Sequence, residues 1–264
     1  MKRINLYKPL LLVFSLLLLA FSSTAQNTLR VASGINENEW VWSQGPNTVN
    51  GTATYGTKGV AAPTNYPGAR MRGSSWRDSG NNFWIFGGSE GVTSAINYND
   101  LWKFDGTNWA WVKGENTTNS AGVYGTKGVA ATDNTPGSRN SAFTWKDNIG
   151  NLWLFGGASN GNSGNDDFND LWKFDGTNWT WVSGSDAVND EGSFGTLNVT
   201  ASTNRPNSRR GGMMWGDNNG NIYIYGGQTN QSGGYLDDFW KWDGTNWTWL
   251  AGSAAPPAST TVNY

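Results

Sequence analysis

The chain has 264 residues, with 36 Gly and 17 Trp, 18 Lys plus Arg against 20 Asp plus Glu, and neither His nor Cys. A near-neutral balance without a basic run excludes a nucleic-acid footprint, and the missing Cys excludes a disulfide framework. The missing His removes the commonest general base and most zinc or copper sites.

Lys2, Arg3 and Lys8 lead into an apolar run, Leu10 to Phe21, and small residues end at Ala25. This is the layout of a secretory signal peptide over residues 1–25. This run of twelve residues, Ser15 among them, falls short of the roughly 20 that span a bilayer. The mature chain is therefore expected to begin at Gln26, outside the cell, at its surface or in a periplasm, with no membrane span after cleavage.

Beyond the leader, "EWVWSQG" (Glu39 to Gly45) has the pattern of an outermost strand standing without the strands that normally precede it. A repeat follows. Tyr55, Tyr124, Phe194 and Tyr264 begin equivalent segments spaced 69, 70 and 70 residues apart, defining units of about 55–123, 124–193 and 194–263. Because Tyr264 falls where a further unit should begin, the chain is expected to be the front part of a longer protein, truncated within the repeat.

Each unit predicts four strands. The first follows "PGAR", "PGSR" or "PNSR" and turns through an Asp/Asn/Gly cluster suited to side-chain-capped turns. The second is an apolar run closed by a glycine pair: "FWIFGG", "LWLFGG" and "IYIYGG". Its near-continuous hydrophobicity predicts burial on both faces. The third, "DLWKF" or "DFWKW", turns through "DGTN" into the fourth, "WAW" or "WTW". No amphipathic helical pattern appears after the leader. Four-stranded units in tandem are the signature of β-propeller blades.

The apolar strand, Gly-Gly, polar loop, "NDLWKFD" and following Trp resemble the kelch repeat of kelch and galactose-oxidase-like propellers, across all three units. The resemblance implies an all-β, kelch-like partial propeller: three complete four-stranded blades plus one extra N-terminal strand, within residues 26–264. The chain departs from the family in two ways. Gly73, Ala142 and Gly212 stand where the family's Pro-x-x-Arg-x-x-His element has its His, and the unit is about 20 residues longer than the usual ~50.

Trp109 and Trp111, Trp179 and Trp181, and Trp247 and Trp249 sit two apart, so each pair shares one face of a strand. They either fill the wedges between blades or offer platforms on which sugar rings stack. Strand parity places the long connections on one face of the propeller and the tight turns on the other. The long-loop face is the candidate binding surface, for a protein or a glycan.

Arg70, Arg139 and Arg209 are expected where that face meets the inner strand, either gripping an anionic ligand or bonding carbonyls of a neighbouring blade. Tyr55, Lys58, Tyr124 and Lys127 belong to the "YGTKGVAA" segments, which either join the binding surface or cap each blade. Asn162 to Asp170 is the best stretch for calcium but lacks the spacing of a calcium loop. Asp105, Asp175 and Asp243 recur in hairpins, and Glu37, Glu39, Glu90, Glu115 and Glu191 do not form the facing carboxylate pair that glycoside hydrolysis needs. No catalytic constellation, metal site or cofactor is expected.

Overall fold

The structure, a computed structural model, describes residues 42–91, 95–159, 166–230 and 234–254. Among these there is no helix, and the strands form three four-stranded antiparallel sheets. The first holds β1 (Ser74–Arg77), β2 (Phe83–Phe86), β3 (Leu101–Phe104) and β4 (Trp109–Lys113). The second holds β5 (Phe143–Lys146), β6 (Leu152–Phe155), β9 (Leu171–Phe174) and β10 (Trp179–Ser183), with a small hairpin of β7 (Ala158–Ser159) and β8 (Asp166–Asp167) inserted after β6. The third holds β11 (Met213–Gly216), β12 (Ile222–Gln228), β13 (Tyr235–Trp242) and β14 (Trp247–Ala251). Here β12 runs on through the glycine pair, with a register shift between Tyr225 and Gly227, where the sequence pattern ended the strand.

Turn chemistry sets the hairpins. Oδ1 of Asp78 accepts the backbone N–H of Gly80 and Asn82, and Asp147 and Asp217 repeat the pattern. In the other tight turn Asp105 Oδ1 accepts the N–H of Thr107 and Asn108, as Asp175 and Asp243 do in theirs. Each carboxylate satisfies donors that a tight turn leaves without a ladder partner.

The sheets pack in series through their faces. Trp76, Trp84, Phe86 and Leu101 of the first meet Leu152, Leu154, Trp172, Phe174 and Trp179 of the second in one buried cluster. Phe143, Phe155 and Leu171 of the second meet Ile222, Ile224, Trp240, Trp242 and Trp247 of the third in another. The inner strands β1, β5 and β11 lie side by side in that order. The second strand is buried on both sides, as expected, only where a sheet has a neighbour on each side.

A backbone stitch recurs at each junction. Arg139 N–H donates to Tyr98 C=O at 3.0 Å, Gly88 N–H to Arg139 C=O at 2.8 Å, and Ser141 N–H to Arg72 C=O at 2.8 Å. The second junction repeats it at 2.9 Å each, with Arg209 to Phe168, Gly157 to Arg209, and Gly211 to Ser141. The glycine pair makes this approach feasible. Gly87 has φ +64°, and a Cβ there would stand 2.5 Å from Arg139 O. Only glycine takes that conformation with the neighbouring carbonyl so close.

The tryptophan pairs divide their work. Trp179 is fully buried against Phe86 of the preceding sheet, with ring centroids 5.6 Å apart, and Trp247 meets Phe155 in the same way. These fill the wedge between sheets. Trp181 instead lies under its own unit, with Tyr124 edge-on at 5.0 Å and Lys127 Nζ 4.0 Å above its ring. Trp111 is held likewise by Tyr55 and Lys58.

The described part of "EWVWSQG", Trp42 to Gly45, belongs to no strand, so it adds none there; Glu39 to Val41 and Tyr264 lie outside the described residues, as do residues 1–25. The "YGTKGVAA" segments also do not roof the long-loop face. They run beside the outermost strand: Gly59 N–H donates to Trp111 C=O and Ala62 bridges Trp109, with equivalents at Gly128 and Ala131 on β10. An outer strand edge needs cover, and this segment supplies it.

Candidate functional site: the long-loop face

Loops at the ends of the second and fourth strands meet and brace one another. Asn119 N–H donates to Asn97 C=O at 2.8 Å, and Asn119 Oδ1 accepts the N–H of Asn97 at 2.9 Å. Asn189 and Asp167 form the same clasp in the second unit. The same connections are then tied to the next unit: Ser138 Oγ accepts Ser120 N–H, and Ser208 Oγ accepts Asp190 N–H. The two kinds of long connection therefore share one face, as strand parity predicts, and they are held rigidly.

The three repeated arginines sit beneath this face in buried clusters. Arg139 Nη1 and Nη2 donate to Oδ1 and Oδ2 of Asp170 at 2.5 and 2.8 Å, while its Nε and Nη1 reach the carbonyls of Gly137 and Gly156. Asp170 Oδ2 also accepts the hydroxyl of Tyr124 and the indole N–H of Trp172, each at 2.7 Å. Arg70, Asp100, Tyr55 and Trp102 form the same cluster in the first unit. In the third, Phe194 replaces the tyrosine, and Arg209 holds Asp238 and, by a very short bond, Asn207. The arginine side chains thus bond carbonyls of their own unit, and it is the backbones of Arg139 and Arg209 that reach the neighbouring one.

The electrostatics follow. Burial alone would lower the pKa of Arg139, but the facing Asp170 outweighs it and holds the guanidinium charged. Burial pushes the phenol of Tyr124 far above its ordinary value, and the Asp170 carboxylate pushes the same way. Tyr55 beside Asp100 behaves alike. Lys58 and Lys127 donate to the carbonyls of Gly114 and Gly184 at 2.8 Å. All seven residues singled out from the sequence are therefore engaged within the fold.

The acidic stretch at Asn162 to Asp170 is engaged too where it is described. Asp167 pairs with Arg210 at 2.5 Å and accepts Asn230 N–H at 2.6 Å, and Asp170 serves Arg139. Burial raises the pKa of Asp167 against those two partners. Asn162 to Asn165 lie outside the described residues.

Arg72 is what the sequence reading missed. It is exposed just before β1, with φ +56°, and its guanidinium makes no hydrogen bond or ion pair with the described residues. Its equivalents are Ser141 and Gly211, so it carries a charge that the repeat does not require. That is the missed signal: the charge occurs in one unit only, so no shared cluster accounts for it.

The fold and this face together define an all-β array of four-stranded antiparallel sheets whose long connections are braced on one side. Compared with protein-family models and with curated proteins, the chain matches none. No helix among the described residues is long and apolar enough to cross a membrane.

Proposed function

We propose that the chain is part of an exported kelch-like β-propeller that binds another protein or a glycan through its long-loop face. The observation that carries this reading is the brace between Asn97 and Asn119, repeated by Asp167 and Asn189. Loops held this firmly present their tips without a large ordering cost on binding. The serial packing of the sheets, with β1, β5 and β11 adjacent, supports the propeller. The basic, apolar and small-residue layout of residues 1–25 supports export. Arg72 supplies an exposed cation, unengaged among the described residues and suited to a carboxylate or sulfate on the ligand.

The test is a glycan array run beside capture of extracellular proteins, using wild-type chain and Arg72→Ala. Binding that falls roughly tenfold or more in the variant, the scale of a lost charged hydrogen bond, would support the reading. A folded chain that binds neither class would favour a structural spacer. That second reading draws on the engagement of all seven sequence-chosen residues within the fold.

A further inference from the structure

Among the described residues the two outer sheets each leave one face open, and the two faces differ. On the third sheet Met213, Trp215 and Tyr225 are 60%, 42% and 41% exposed. Trp215, Tyr223 and Phe239 stack flat on one another there, with centroids 5.7–5.8 Å apart. In the first and second sheets the same positions are Trp76, Trp84, Phe86 and Leu101, and Trp145, Trp153, Phe155 and Leu171. Those positions pack against the next sheet. On the first sheet the other face is open: Phe83 is 42% exposed, and Ile85, Phe104 and Trp109 are partly so. Their equivalents, Leu152, Leu154, Phe174 and Trp179, are buried by the preceding sheet.

The backbone tells the same story. Gly87 and Gly156 exist as glycines because the next unit's Arg carbonyl stands 2.5 Å from where a Cβ would be. Gly226 keeps the same φ of +64°, yet only Leu236 O of its own unit is near. A cleft of about 460 Å³ opens there, lined by Gly226, Gly227, Met213, Tyr225 and Leu236 among others. It lies where the next unit's arginine segment sits at both other junctions. Conversely, among the described residues the stitch bonds made by the backbones of Arg139 and Arg209 have no counterpart at Arg70.

We propose that a second copy of this chain seats its first-sheet face on the third-sheet face, with its Arg70 segment in the Gly226 cleft, and that the reciprocal contact closes a two-copy ring of six sheets. The contact is head-to-tail, and such contacts form a ring when the rotation closes. It is continuous with an interface the chain already builds twice within itself. It also removes an apolar patch of a kind rarely left open on a monomer.

One residue sets the strength of the seat. Asn99 and Asn169 donate Nδ2 to the carbonyls of Pro136 and Pro206 in the next unit, at 3.4 and 2.9 Å. The third unit has Asp237 in that place, a carboxylate without the donor. The contact between copies therefore lacks one bond that the internal junctions possess, and is reversible.

The test is sedimentation velocity on the purified chain over a range of concentrations. A species of twice the single-chain mass is expected, and Asp237→Asn should tighten it roughly 25-fold, the worth of one restored hydrogen bond at each of the two contacts. Trp215→Glu and Phe83→Glu, both at exposed positions, should each give folded monomers by circular dichroism. Mixing these two variants should restore a dimer, because the intact third sheet of one meets the intact first sheet of the other. A wild-type chain that stays monomeric, one that forms open polymers, or a mixture that shows no rescue would each overturn the proposal.

Discussion

The guanidinium of Arg139 and the carboxylate of Asp170 meet by two parallel hydrogen bonds with neither side chain exposed to solvent. A charge pair this deep gains its attraction only by giving up two hydration shells. Removing one partner leaves the other charge buried and alone. Arg139→Met should destabilise the chain by about 3–5 kcal/mol, read from urea unfolding. Unchanged stability with loss of an anionic ligand would instead make the arginines a binding ring.

Alkaline pH should act through the tyrosine above that pair. Tyr124 and Tyr55 have raised pKa values, so the folded chain holds their protons more tightly than the unfolded one. Their contribution is complete below the unfolded value of about 10 and is lost as pH rises beyond it, towards the folded values. Unfolding midpoints measured from pH 8 upward should hold until about pH 10 and then fall for wild type. They should fall less steeply for Tyr55→Phe with Tyr124→Phe, the ring that Phe194 already places in the third unit.

The two tryptophans of one strand should respond differently. Trp179 is fully buried between sheets, and Trp179→Ala should cost roughly 3–5 kcal/mol. Trp181 is only half-buried, beneath Lys127, and Trp181→Ala should cost clearly less by the same denaturant titration. A sugar-binding defect from Trp179→Ala at unchanged stability would restore the platform role.

Glycine pairs of identical sequence should differ by position. Ala at Gly87 meets both a positive φ and the Arg139 carbonyl, so Gly87→Ala should lose well over the ~1 kcal/mol that backbone strain alone costs. Gly226→Ala has the strain and its own unit's Leu236 carbonyl at 2.9 Å but no carbonyl of a next unit, and should be the milder change in thermal melts of dilute chain.

Much of the fold was legible from residues alone. The Asp-Gly-Thr-Asn and Asp/Asn/Gly turns act through bonds within four residues, so local chemistry sufficed to place the hairpins. The period of 69–70 residues marked each sheet, and strand parity placed the Asn97 and Asn119 loops together. The candidate site was less legible. Arg70, Arg139 and Arg209 drew attention because they recur, yet recurrence marked their buried partners, Asp100, Asp170 and Asp238, which lie about thirty residues further along.

By itself the sequence determined the three four-stranded sheets and the side on which the long connections emerge, since turns and alternation are properties of neighbours in the chain. Tertiary structure alone decided which charges are free. Trp179 and Trp181 look alike in sequence, as do Arg70 and Arg72, but one tryptophan meets the preceding sheet and the other a lysine of its own unit. One arginine closes on Asp100 and the other is left exposed. Burial and ion pairing depend on what distant segments bring to the same place, and no local pattern encodes that meeting.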